Sequence, residues 1–172
     1  MADIETFEAA EAGASETYPI RAGEVKKGSY VCIKGHPCKV IDVSTSKTGK
    51  HGHAKANITA LDIFTGNKYM DICPTSHNMT APNVTREEYM VADIDDSDRN
   101  AEDASACHLM PTDETAAKGG GLSEDRTDLF IPDSDAYGPM RSDFEDGKEV
   151  YVMVQKAMGI EKVMPMYRAK EV

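Results

Sequence analysis

Three lysines and two histidines, interrupted by two glycines, stand within the twelve residues Ser44-Thr-Ser-Lys-Thr-Gly-Lys-His-Gly-His-Ala-Lys55. Three chemistries suit such a set. A phosphate-cradling loop would use Thr48-Gly-Lys50, but that motif needs a glycine five residues before its Gly-Lys pair and Ser or Thr after it. Ser44 and His51 hold those places, and a strand-like run follows where a helix should, so this reading is rejected. A metal site would draw on His51 and His53, with Cys73 or His77 as remote partners. Such a pair still needs a third protein ligand, which nothing nearby supplies, so no metal is expected.

The third chemistry rests on Lys50, near the apex. A lysine amine with a pKa of about 10.4 is protonated at neutral pH, which makes it a poor nucleophile and a good phosphate contact. Gly49 and Gly52 permit positive φ and a close backbone approach to another macromolecule. Ser44, Thr45, Ser46 and Thr48 offer hydroxyls that brace the loop or meet a nucleic-acid backbone. A basic loop with no privileged lysine fits the spacing equally well. Elsewhere, His36 and His108 read as polar turn or core residues, and no nucleophile, base and acid come together along the chain, so catalysis by this protein is not expected.

Such a loop needs supports. Strand-like runs flank it, Pro37 to Val43 before and Ala56 to Phe64 after, which predicts two neighbouring strands joined by a long basic connection. From Tyr18 onwards, Tyr30 to Ile33, Cys38 to Val43, Ala56 to Phe64 and Lys68 to Cys73 alternate with turn signals such as Gly35-His-Pro37 and Thr65-Gly-Asn67. Short runs in this order predict a small antiparallel barrel. The proline-containing stretch Pro74 to Val84 is the expected boundary, giving a barrel over 18–83 and a second domain over 84–172. Strands at Glu88 to Ile94, Ala106 to Met110 and Asp128 to Pro132, a short helix within Ser134 to Glu145, and strands at Glu149 to Ala157 and Lys162 to Ala169 give the order of an oligonucleotide/oligosaccharide-binding (OB) barrel. Two insertions, near 95–104 and 112–124, are expected as surface excursions, and residues 1–17 as a disordered acidic tail.

Composition agrees with a mainly β protein of small cores: 172 residues, 40% hydrophobic, with no Trp and four Phe. Four irregularly spaced cysteines, Cys32, Cys38, Cys73 and Cys107, read as reduced, mostly buried thiols. The formal charge of -11 conceals a division along the chain. Residues 1–16 hold five acids and no base (-5), residues 17–83 nine bases against four acids (+5), and residues 84–172 ten against twenty-one (-11). A surface for phosphate backbones therefore belongs before residue 84. No run approaches the roughly 18 apolar residues that a membrane span requires, and the N-terminus is acidic where a leader would be basic or apolar, so no membrane partner and a cytoplasmic location are expected.

The loop sequence STSKTGKHGHAK resembles closely the hypusine loop of the eukaryotic translation initiation factor 5A family. Lys34-Gly-His-Pro-Cys-Lys39, Asp62-Ile-Phe-Thr-Gly66 and Asp71-Ile-Cys-Pro74 extend the likeness, which is strong over residues 19–92 and thinner beyond, with recognisable stretches near Glu124 to Pro132 and Gly147 to Ala157. The resemblance implies an SH3-like barrel followed by an OB-fold. It further implies that Lys50 receives an aminobutyl group from spermidine through deoxyhypusine synthase and is then hydroxylated by deoxyhypusine hydroxylase. Lys47, Gly49, His51, Gly52, His53 and Lys55 would support recognition by the synthase or by tRNA and rRNA. The implied role is a translation elongation factor, with no cofactor of its own, that binds the ribosome near the exit and peptidyl sites and contacts peptidyl-tRNA. There it would help peptide bond formation at stalled sequences such as proline runs, and termination. The alternative is a two-barrel RNA-binding module indifferent to lysine modification.

Overall fold

The computed structural model describes residues 16–47, 54–118 and 124–172. Its elements are mainly strands: β1 (Thr17–Arg21), β2 (Tyr30–Ile33), β3 (His36–Ser46), β4 (Lys55–Asp62), β5 (Lys68–Pro74), β6 (Asn78–Pro82), β7 (Thr85–Arg99), β8 (Ser105–Pro111), β9 (Phe130–Ile131), β10 (Glu149–Ala157) and β11 (Ile160–Lys170), with helices α1 (Asp113–Lys118) and α2 (Gly138–Glu145). Two compact units result, residues 1–84 with 157–159, and residues 85–156 with 160–172.

In the first unit a four-stranded antiparallel sheet of order β2-β3-β4-β5 curls into an SH3-like half-barrel, and the ribbon β1-β6 lies against it through β6. Lys34 and Gly35 both take positive φ, 52° and 80°, which is the two-residue turn whose twist matches the flanking strands β2 and β3. β4 alternates between exposed or half-buried and buried positions along its whole length, placing Ala56, Ile58 and Ala60 in a core with Val31, Ile33 and Val40. Small and branched side chains fill this core because opposing strands leave little room.

Several expected boundaries move. Thr17 already belongs to β1, paired with Pro82, and residues 1–15 of the expected tail lie outside the described residues. Asn78–Pro82, expected within a boundary stretch, is β6; its proline sits at the end of a two-stranded ribbon, where a missing N–H costs no interior ladder bond. Three of the loop's first residues, Ser44 to Ser46, and its last, Lys55, are strand, whereas Ile63 and Phe64 have left β4 for a turn.

The second unit is an OB-fold: a five-stranded sheet of order β11-β10-β7-β8-β9, closed by contacts between β9 and β11, with α2 between β9 and β10 and packed against β11. Leu109, Ile131, Met140, Val150, Val152 and Val163 fill its core. The segment Asp95 to Ala104 is not a loose excursion, because β7 continues to Arg99. Two of its acids, Asp96 and Asp103, are paired with arginines. Asp96 accepts from Ser105 Oγ at 2.6 Å and from Arg141 at 2.8 Å, and Arg99 donates to Asp103 and Asp133, both at 3.2 Å. Likewise residues 112–124 open with α1, whose Thr115 amide donates to Thr112 Oγ1 while its own hydroxyl donates to the Glu88 carbonyl at 2.7 Å.

Arg126 is the main ionic junction of this unit. Its guanidinium donates to both Glu161 oxygens at 2.9 and 2.7 Å and to both Asp128 oxygens at 2.8 Å. Hydrogen bonding to Arg126 holds both carboxyls below the usual carboxylate range. A depressed carboxyl contributes stability that is present above its unfolded pKa and is lost as pH falls through the folded value. Arg126→Ala is therefore expected to destabilise the second unit by about 1–2 kcal/mol at pH 7, mostly through Glu161 because Asp128 is largely in solvent. Denaturant titrations of both proteins should show that difference shrinking below about pH 4.

Candidate functional site

The β3–β4 hairpin carries the basic segment. Its register pairs Asp42 with Thr59, Val43 with Ile58, Ser44 with Asn57, Thr45 with Ala56 and Ser46 with Lys55. Between Val40 and Asp42 the ladder slips by one residue, so Ile41 is a bulge. Before the bulge Cys38 and Val40 are buried in the core; after it Val43 is half-buried against that core, and Asp42, Ser44, Thr45 and Ser46 are exposed. A bulge bends its strand and increases twist, which re-aims everything beyond it. From Asp42 to Ser46 the arm rises about 13 Å at roughly 3.3 Å per residue.

Beyond the ladder, the base of the loop is tied from a second direction. The Thr75 amide donates to the Ala54 carbonyl at 2.9 Å, and the Thr75 carbonyl accepts from the Gly23 amide at 3.0 Å. Ala22, in the same 3-10 turn as Gly23, donates its amide to the His77 carbonyl at 2.9 Å. A β-carbon on Gly23 would stand 3.1 Å from the Thr75 oxygen and 3.2 Å from its Cβ, so the turn approaches this closely only because residue 23 has no side chain. The far end of β4 is locked by Asp62, a buried carboxylate that accepts from the amides of Phe64 and Thr65 at 2.8 and 3.2 Å and pairs with His36 at 3.3 Å, the imidazole stacking on Tyr69. Burial, reinforced by the Asp62 charge, pushes the Cys38 thiol up to about 11, and burial pushes the Cys107 thiol to about 12. All four cysteines are free thiols, with Cys32 and Cys73 half-buried.

Among the expected site residues, Lys47 and Lys55 are exposed where the two strands end, Lys55 directly across from Ser46. Gly49, Lys50, His51, Gly52 and His53 lie outside the described residues. Cys73 pairs with Ala56 and packs on the core, and His77 is exposed on the turn that follows β5. Among the described residues no group of three or more His, Cys, Asp or Glu is placed to hold a metal ion. His108 pairs with Asp125 at 2.7 Å in the second unit. Sequence reasoning missed Gly23, Ala54 and Thr75, whose contribution is backbone hydrogen bonding and carries no residue-type signature. Asp62-x-Phe-Thr-Gly66 does carry one, since an aspartate accepting from amides two and three residues on is a recognised turn device.

A curled half-barrel with a long β3–β4 hairpin, joined in sequence to an OB-fold, defines a two-domain, mainly β protein. Residues 15–77 match the family model "Translation initiation factor 5A-like, N-terminal", and residues 83–166 match "Eukaryotic elongation factor 5A hypusine, DNA-binding OB fold". The eukaryotic translation initiation factor 5A of Spodoptera exigua is 46% identical over 166 residues, covering 95% of this chain and 94% of the insect protein. Its Saccharomyces cerevisiae counterpart 5A-2 is 42% identical over 170 residues, covering 98% of both chains. A solved structure from Naegleria fowleri, of a translation initiation factor eIF-5A family protein, matches with a TM-score of 0.71 and 46% identity over 90% of this chain and 99% of that one. The chain belongs to the eukaryotic translation initiation factor 5A family and is a translation factor, not an enzyme. Among its described residues no helix is long and apolar enough to cross a membrane.

Gly23→Val is expected to push the Thr75 turn away from the hairpin, at about 1–3 kcal/mol for the overpacking. Amide hydrogen exchange should report faster exchange at Thr75, whose amide holds Ala54, than at the interior ladder position Ile58.

Proposed function

We propose that Lys50 is the residue through which this translation factor acts, after conversion to hypusine: deoxyhypusine synthase transfers the aminobutyl group of spermidine to its Nζ, breaking the bond to spermidine's central nitrogen and releasing 1,3-diaminopropane, and deoxyhypusine hydroxylase then hydroxylates the product with dioxygen as oxidant. The observation that carries this reading is the segment STSKTGKHGHAK at the end of a hairpin whose arms are fixed by the β3–β4 ladder and by the Thr75–Ala54 hydrogen bond. A modified lysine is longer and carries a second amine. It can place positive charge beyond the loop, among the phosphates and riboses of a tRNA end.

The factor works in the cytoplasm, on ribosomes, near the exit and peptidyl sites. Its contribution is positional: restraining peptidyl-tRNA favours the near-attack geometry that a poor substrate such as proline samples rarely, and the same restraint serves termination. Lys47 and Lys55, exposed at the two strand ends, together with Gly49, His51, Gly52 and His53, serve recognition by the synthase and by tRNA or rRNA. Gly49 and Gly52 keep the approach to Lys50 free of side chains, and the neighbouring cations add attraction for phosphate.

Peptide mass spectrometry of the protein purified from its own cells checks the modification. The Lys50 peptide is expected to carry the aminobutyl and hydroxyl increments together, and an unmodified Lys50 in that material would end the proposal. Spermidine bearing an isotopic label should be incorporated once per chain, with no turnover.

A further inference from the structure

The outward face of the OB sheet carries a groove, lined by a row of apolar side chains and by charged ones, that presentation of Lys50 does not use. Tyr151 of β10 pairs directly with Met90 of β7, and Met90 directly with Met110 of β8, so the three form one row across the sheet. At about 4.8 Å per strand the row spans roughly 10 Å. The groove along it has a volume of about 400 Å³ and continues, past Tyr151 and Arg168, into a second hollow of about 190 Å³ that includes Met153 and Met166. Met110 and Met166 are 38% and 47% exposed. Four of the chain's ten methionines thus line one surface, where flexible, polarizable side chains can reshape around an apolar guest.

Charge selects the guest. Among the described residues that line it the one base, Arg168, donates to both Glu88 oxygens at 2.9 Å and lies 4.0 Å over the Tyr151 ring. Three acids, Glu88, Asp113 and Glu114, stand there against that base, so the lining is acidic by count. A phosphate backbone would be repelled here, whereas a cationic peptide would find both a complementary rim and an apolar seat.

We propose that this groove is a docking site for a basic peptide segment of a partner protein, anchored by one aliphatic or aromatic side chain between Met90, Met110 and Tyr151. The test uses the full chain with ¹³C-methyl methionine and, as probes, a short Lys-Gly peptide carrying one central leucine, the same peptide with serine in its place, and a short uridine oligomer. The leucine peptide should shift the methyl resonances of Met90, Met110, Met153 and Met166 and leave core Met140 unmoved, and should bind more tightly than the serine peptide. Met110→Glu should weaken the leucine peptide about fivefold or more although it adds negative charge, with Met166→Glu as the second variant and the Met140 resonance as the check on folding. Equal binding of the two peptides, tighter binding to Met110→Glu, or displacement of the peptide from these methyls by the uridine oligomer would overturn the proposal.

Discussion

A segment that carries three lysines and two histidines in twelve residues cannot be positioned by burial, because desolvating unpaired cations costs far more than packing returns. Its placement has to come from the backbone beneath it. The first unit meets that constraint with hydrogen bonds of low side-chain content: an antiparallel ladder that runs up to Ser46 and Lys55, and a cross-tie from Thr75 to Ala54 that is itself held by Gly23. The bulge at Ile41 serves the same end, since beyond it Val43 packs on the core and keeps the outer arm anchored. Asp62 fixes the opposite end of β4, so the strand under the loop is pinned at both ends.

The second unit solves a different problem. With twenty-one acids in residues 84–172, it organises its excess charge around arginines. Arg126 gathers Asp128 and Glu161, Arg141 gathers Asp96 with Ser105, and Arg168 gathers Glu88. Guanidinium groups suit this because one planar fork satisfies two carboxylate oxygens at once. Residues 17–83 thus carry a net positive charge and residues 84–172 a net negative one, although the OB-fold holds ten bases of its own.

Much of this was readable in the residues, and the failures have physical causes. The strands Tyr30–Ile33 and Glu149–Ala157 follow from apolar runs bounded by turn residues. The ribbon β1-β6 was invisible because Pro19 and Pro82 imitate a linker; only a two-stranded pairing with open outer edges tolerates them. The extension of β7 to Arg99 was hidden by acids that look solvated until Arg141, distant in sequence, is seen to pair with Asp96. The slip of one residue at Ile41 goes with a break in the alternation, since the exposed Lys39 and Asp42 stand three residues apart in Cys38 to Val43. The loop stands out by its composition, and only the family likeness distinguishes Lys50 from its neighbours, since spacing treats them much the same.

The central claim is that a positioned, modified Lys50 is what the rest of the first unit exists to present. Reconstituted translation of a reporter containing a run of prolines tests it most directly, comparing the protein from its own cells with unmodified protein and with Lys50→Arg. The account predicts rapid read-through with the native protein alone, although all three carry a cation at position 50. Equal stimulation by all three would contradict it and would favour a two-barrel RNA-binding module that needs charge and no modification.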